Sequence, residues 1–227
     1  MKKENLHTLR IAVIFLFFLS FFMVGSCDVE FGNSDDNNGG GGNGGSSDPE
    51  IVQGTIVDII PDADIEGILV IVTNEDNSEF SDTTNNSGFF SISSGQGTFS
   101  GTPQLEFFDT SMNSLALITI TVFPTAEVEL GNIILESGTV IFTQPTEVKF
   151  KGDVITNNCT GNSGTMEVEA TREGESTDVI VQISASTDII RDNDDILCED
   201  VLIGQTVEVR GELLVGNTVD ADIVDIL

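Results

Sequence analysis

The chain has 227 residues, with 38 acidic against 8 basic side chains, a formal net charge of −30, and neither tryptophan nor tyrosine. Its one histidine is His7, so residues 27–227 contain none, which excludes Ser-His-Asp and Cys-His nucleophile systems and His-ligated zinc or iron from that stretch. So acidic a surface repels phosphate backbones, and no nucleic-acid partner is expected.

The chain opens MKKENLHTLR and continues IAVIFLFFLSFFMV, fourteen uncharged residues at 11–24. A membrane-spanning helix needs about 20 apolar residues, so this run is short for a span and suits the apolar core of a secretory signal behind Lys2, Lys3 and Arg10. The run exits through Val24-Gly25-Ser26-Cys27. That exit resembles the lipobox of bacterial lipoproteins, in which an aliphatic and two small residues precede a cysteine. The resemblance implies a signal peptide over 1–26, cleavage before Cys27, diacylglycerol on its sulfur and an acyl chain such as palmitate on the new amine. Several acyl chains, at about 0.8 kcal/mol per buried CH₂, anchor a protein stably where one would not. The competing reading is an ordinary secretory signal that ends near a cysteine. On the lipoprotein reading the protein is exported and anchored to a bacterial membrane, at the outer membrane, the cell surface or the periplasmic face.

Residues 27–49 are rich in Gly, Asn, Ser and Asp without apolar periodicity, the composition of a flexible tether. From Ile51 onward, short Val/Ile/Phe/Thr runs alternate with Gly, Asn, Asp and Ser, and no stretch carries a helical apolar stripe, so the fold class is all-β. The strands expected in the first half are IVQGTIVDII, GILVIVTNE, GFFSIS, PQLEFFD, LALITITVF and VELGNIIL. The length suits two domains, at 50–136 and 137–227. The first resembles carboxypeptidase regulatory-like domains, through GTIVD at 54–58, Pro61, Gly67 before ILVIV, TTNNSGFFSI at 83–92 and VELGNIIL at 128–135. It departs from that family where Asn85-Asn86-Ser87-Gly88 stands for the usual Asp-x-x-Gly. The resemblance implies an Ig/prealbumin-like β-sandwich of a generally non-catalytic family, with Gly88-Phe89-Phe90 opening a core strand. Asp62-x-Asp64-x-Glu66-Gly67 mimics half of an EF-hand loop, but Thr73 replaces the closing Glu and a β-run follows, so an acidic turn is expected there.

The second half reads EVKFKGDVIT, GTMEVEAT, DVIVQIS, an irregular acidic segment, GQTVEVRGELL and NTVDADIVDIL. Five strands with one longer connection suit a small OB-like barrel. The ending, Gly204-x-x-Val207-x-Val209-x-Gly211 then TVDADIVDI, resembles an exported bacterial OB-like family of unknown function. Alternation points Val207 and Val209 inward and Glu208 and Arg210 outward, with Gly211 allowing a bend. Only Phe142 and Phe150 offer rings for stacking.

Three cysteines remain to be explained. Once Cys27 is lipidated, Cys159 and Cys198 are an even pair in an exported chain, and a disulfide between them is expected. The function expected is that of a non-enzymatic envelope lipoprotein, a binding or scaffolding module held to the membrane by its lipid and working with another envelope protein. No cofactor is required by this reading. The first alternative is a Ca²⁺-binding surface protein using RDNDDILCED at 191–200, with Asp192, Asp194, Asp195, Glu199 and Asp200 as weak metal candidates. The second is a carboxylate-dependent hydrolase accessory, for which nothing selects a pair among the 37 acidic residues after Cys27.

Overall fold

The computed structural model describes residues 49–227 apart from Asp62, Gln96 and Ser100. The expected signal peptide, Cys27 and most of the tether lie outside the described residues, as does Asp62 of the EF-hand-like turn. No helix among the described residues is long and apolar enough to cross a membrane.

The described chain is all-β. Its strands are β1 (Ile51–Ile60), β2 (Leu69–Thr73), β3 (Glu79–Thr83), β4 (Phe89–Ser93), β5 (Gln104–Phe108), β6 (Ser114–Thr119), β7 (Glu127–Glu136) and β8 (Thr139–Phe142). They are followed by β9 (Glu147–Asn157), β10 (Gly164–Arg172), β11 (Glu175–Ile183), β12 (Asp188–Arg191), β13 (Asp194–Asp195), β14 (Thr206–Leu213) and β15 (Thr218–Ile226), with a 3₁₀ turn at Cys198–Asp200. The strands that Val/Ile/Phe alternation predicts all form. Those it misses are β3, β8, β12 and β13, which are short and carry too few apolar residues to show a period.

In the first half, β1 pairs antiparallel with β4 and parallel with β7, and β7 takes β8 on its far end. A separate sheet has the order β3-β2-β5-β6. Phe90 of β4 meets Phe107 of β5 edge to face at 6.0 Å, so the two sheets touch through their inner side chains. Alternation along β1 buries Val52, Gly54 and Ile56 and leaves Val57 outside; the register shift between Ile56 and Asp58 then changes its phase, so that Ile59 is buried and Ile60 turns outward. The Gly88-Phe89-Phe90 turn splits its aromatics. Phe90 is fully buried, while Phe89 is exposed on the outer face. Asn85 does the work expected of an Asp, its Oδ1 accepting from the backbone N–H groups of Ser87 and Phe89 and from the Ser87 hydroxyl. Gly88, at φ +78°, lies where an added Cβ would stand 2.0 Å from the Ile56 carbonyl oxygen, so only glycine fits.

In the second half, β9, β10, β11, β15 and β14 close on themselves as a five-strand barrel, because β14 pairs with β15 on one edge and β9 on the other. The β11–β15 pair is parallel and the other four are antiparallel. Val207, Val209, Val179, Val181, Met166, Val168 and Val219 fill the interior. The alternation expected for β14 is borne out, with Glu208 and Arg210 on the outside. Gly211 marks the register shift where β14 bends over β15, and a Cβ there would meet the Asp220 carbonyl oxygen at 2.1 Å. Gly211→Ala is therefore expected to destabilise the protein by about 1–3 kcal/mol, as overpacking does, measurable by urea unfolding.

The two halves are joined without a break in hydrogen bonding. β7 and β9 pair through Glu127–Lys149, Val128–Val148 and Glu129–Glu147. One continuous buried cluster runs from Val52, Phe90 and Phe107 through Phe123, Phe150 and Val148 to Val181 and Val224. Phe123 and Phe150 pack edge to face at 4.9 Å where the halves meet.

Candidate functional site

The outer edge of β9 changes partner along its length. Residues 147–149 pair with β7, while residues 153–157 pair with β10. Where one strand leaves a neighbour for another, a crevice opens between them. Here it forms two shallow grooves that share Thr125 and Lys151. The first, about 270 Å³, is lined by Pro49, Ile51, Thr125, Glu127, Lys149, Phe150 and Lys151. The second, about 190 Å³, adds Gly152, Asp153, Glu169, Thr171 and Thr206.

Thr125 holds the fork open. Its backbone is in the left-handed region at φ +67°, and its hydroxyl both donates to the Lys151 carbonyl at 2.7 Å and accepts from the Lys151 N–H at 3.0 Å. One side chain thus satisfies the two backbone groups that β9 exposes as it passes from one partner strand to the other. Gly152 follows because β9 there passes against β10, leaving no room for a Cβ, which would stand 2.5 Å from the Glu169 carbonyl oxygen.

Beside the first groove, three of the five Lys and Arg side chains beyond residue 27 gather around Glu208. Its carboxylate accepts from Arg210 at 2.7 Å and lies 3.5 Å from Lys149 and 4.0 Å from Lys151. Partial burial pushes the Glu208 carboxyl up, but the Arg210 hydrogen bond and the charge of Lys149 outweigh it, and the net effect is a pKa below the ordinary 4.5. A group whose folded pKa is depressed stabilises the fold above its unfolded pKa and loses that contribution as pH falls through the folded one. Carboxyl NMR should therefore find Glu208 titrating below 4.5, and Arg210→Gln should raise the midpoint. A midpoint unmoved by that change would contradict the assignment.

Beneath the grooves lies a buried ionic cluster that sequence reasoning missed. Glu50, just ahead of β1, is fully buried, and Arg172, the last residue of β10, is 2 % exposed. Arg172 Nη1 donates to Glu50 Oε2 and to Ser94 Oγ, the latter at 2.8 Å, and Nη2 donates to the Gly95 carbonyl at 2.9 Å. Ser94 Oγ donates in turn to Glu50 Oε2 at 2.6 Å, and the Thr125 N–H reaches Glu50 Oε1 at 3.4 Å. Residues before β1, after β4, before β7 and at the end of β10 are thereby tied to one carboxylate. Its signal was legible: Met166, Val168, Ala170 and Arg172 share the inward face of β10, and a charge in that register needs a buried partner.

Cys159 and Cys198 are bonded in the structure, with Cα atoms 5.7 Å apart. Asn157 reinforces the staple, its Nδ2 donating to the carbonyls of Cys198 and Val201 and its Oδ1 accepting from the Cys159 N–H. The acidic candidates around Cys198 do not converge. Asp192 stands in the β12–β13 turn at φ +55°, and Asp194 and Asp195 are exposed on β13. Glu199 turns away to accept from the Gly161 N–H at 2.8 Å, and Asp200 is exposed. Among the described residues, no group of three or more His, Cys, Asp or Glu side chains is placed to hold a metal ion. Nor is Phe150 a stacking platform, since it is 1 % exposed inside the core.

Comparison with protein-family models, with curated proteins and with solved structures finds no match.

Proposed function

We propose that this protein is a bacterial envelope lipoprotein whose β body, carried on a lipidated Cys27 and a Gly/Asn/Ser/Asp-rich tether, serves as a binding or scaffolding module without turning over a substrate. On this reading the first half is a prealbumin-like sandwich and the second an OB-like barrel. The strand order β9-β10-β11-β15-β14, with its single parallel pair β11–β15, supports the second assignment. The pairing of β1 between β4 and β7, facing the β3-β2-β5-β6 sheet, supports the first. The observation that carries the proposal is the joining of the two halves. A shared core, the β7–β9 ladder and the Glu50–Arg172 cluster make one stiff piece, suited to presenting fixed surfaces to an envelope partner.

Fractionation with mass spectrometry tests the anchor. The wild-type protein should sediment with membranes and begin at Cys27 with added acyl mass, and Cys27→Ser should be recovered lipid-free. Recovery of wild type as a soluble, unacylated species would overturn the lipoprotein reading. Melting of the Cys27→Ser protein addresses the Ca²⁺ alternative, because a ligand specific for the folded state raises the melting temperature with its concentration. Millimolar Ca²⁺ should act no differently from NaCl of equal ionic strength. A large shift specific to Ca²⁺ and abolished by Asp194→Asn with Asp195→Asn would replace the module by a cation-binding protein.

A further inference from the structure

The sheet β3-β2-β5-β6 has two faces of different chemistry. On the inner one, Val70 and Val72 of β2, Leu105 and Phe107 of β5 and Ala116 of β6 enter the buried core. Alternation turns Leu69, Ile71, Phe108 and Leu117 to the other side, where a sheet face open to water normally reads polar. Pairing brings these four together. Leu69 stands opposite Phe108, and Ile71 stands opposite Glu106, which in turn faces Leu117. Leu117 is 49 % exposed, Leu69 and Phe108 are half-buried, and Ile71, between Ser81 and Glu106, is buried on this outer side. Glu106 is therefore flanked by Ile71 and Leu117 across the strands and by Phe108 along its own, and its Oε1 accepts from the Ser114 hydroxyl at 2.7 Å. No Lys or Arg occurs between Arg10 and Lys149, and residues 50–136 carry fourteen acidic groups against no basic one.

We propose that this outer face docks a cationic protein segment, one that presents aliphatic side chains interspersed with Lys or Arg, with a cation of the partner seated on Glu106. The proposal rests on the binding-module reading and gives it a face and a partner chemistry. Charge complementarity selects the occupant. A purely apolar cover, a lipid bilayer included, would take the Glu106 carboxylate out of water without a counter-ion, which is unfavourable. A second copy of this chain would set one half of net −14 and no basic residue against another. A Lys or Arg flanked by aliphatic residues meets both demands of the face. Its methylene stem covers apolar surface, and its charge pairs with the carboxylate as water leaves. Specificity comes from the same group, since a partner without the cation leaves Glu106 covered and unpaired.

The test uses the full chain carrying Cys27→Ser, so that its outcome is separate from that of the lipid anchor, and titrates it by NMR with a short peptide alternating Lys and Leu. Amide shifts should concentrate on residues 69–73, 104–108 and 114–119. Leu117→Ser, which alters an exposed side chain without changing charge, should raise the Kd about tenfold, as loss of a buried leucine does. Val215→Ser, at a position 95 % exposed in the β14–β15 turn, should leave it unchanged. Glu106→Gln should raise the Kd and flatten its dependence on salt. A peptide alternating Glu and Leu should not bind. Shifts spread over the whole acidic surface, or a Kd that neither Leu117→Ser nor Glu106→Gln moves, would reduce the contact to diffuse charge attraction and overturn the proposal. Equal binding of the Glu peptide, co-sedimentation with phosphatidylcholine vesicles that Leu117→Ser abolishes, or a dimer that Leu117→Ser disperses would each overturn it in favour of another occupant.

Discussion

Arg172→Met is expected to lower the free energy of unfolding by about 3–5 kcal/mol, because it leaves the Glu50 carboxylate buried without its cation. The side chains of Glu50 and Arg172 are both buried, so water cannot replace the lost partner. Ser94 and the Thr125 N–H would remain as donors, but hydrogen bonds from neutral groups do not offset a desolvated charge. The companion variant, Glu50→Leu with Arg172→Met, removes both charges and should recover most of the loss, since a buried ion pair replaced by apolar side chains is commonly neutral or stabilising. Urea unfolding followed by circular dichroism measures both. A loss below about 1 kcal/mol in the single variant would show the pair to be solvated, in the range of surface salt bridges. The cluster bridges the start of β1 and the end of β10, so Arg172→Met should also weaken the coupling between halves. The wild type should unfold in one transition, and the variant should begin to separate into two.

The second large effect concerns the barrel. Replacing Cys159 and Cys198 by alanine should cost roughly 4 kcal/mol in the chain-entropy model, given a sequence separation of 39. The staple ties the β9–β10 connection to the 3₁₀ turn, with the Asn157 and Glu199 hydrogen bonds alongside it. Loss of protection in hydrogen exchange should therefore centre on residues 157–163 and 196–204, while β1 and β7 keep theirs. Thiol alkylation of the folded, unreduced protein supplies the independent check. Labelling of both cysteines would end the disulfide assignment.

Much of this protein was legible as a string. Alternation of Val, Ile and Phe located the long strands, because one buried face imposes a period of two on any strand that carries it. It also set which side of β14 faces inward, with Val207 and Val209 in and Glu208 and Arg210 out. With Cys27 set aside for the lipid that the lipobox resemblance implies, the two remaining cysteines of a chain expected to be exported pointed to the Cys159–Cys198 bond. Gly211 marked a bend, since a glycine inside a strand pattern signals close backbone approach.

What only the tertiary structure decided are the features that depend on which strands become neighbours. The closure of the barrel through β14 and β9, and the ladder from β7 to β9, join residues whose separation leaves no periodic trace. The strands β3, β8, β12 and β13 exist because neighbouring strands offer them unpaired edges, and their own composition would not select them. Glu50 and Arg172 stand 122 residues apart. The inward register of Arg172 could announce that a partner was needed, but only folding chose Glu50 from the many carboxylates of the chain. The carboxylates of the acidic run at 191–200 do not converge for the same reason in reverse: they are close in sequence, yet a left-handed turn and a short hairpin turn them apart. Periodicity reports how a segment meets an interior, whereas charge pairing and grooves arise from contacts between segments, and those are fixed by topology.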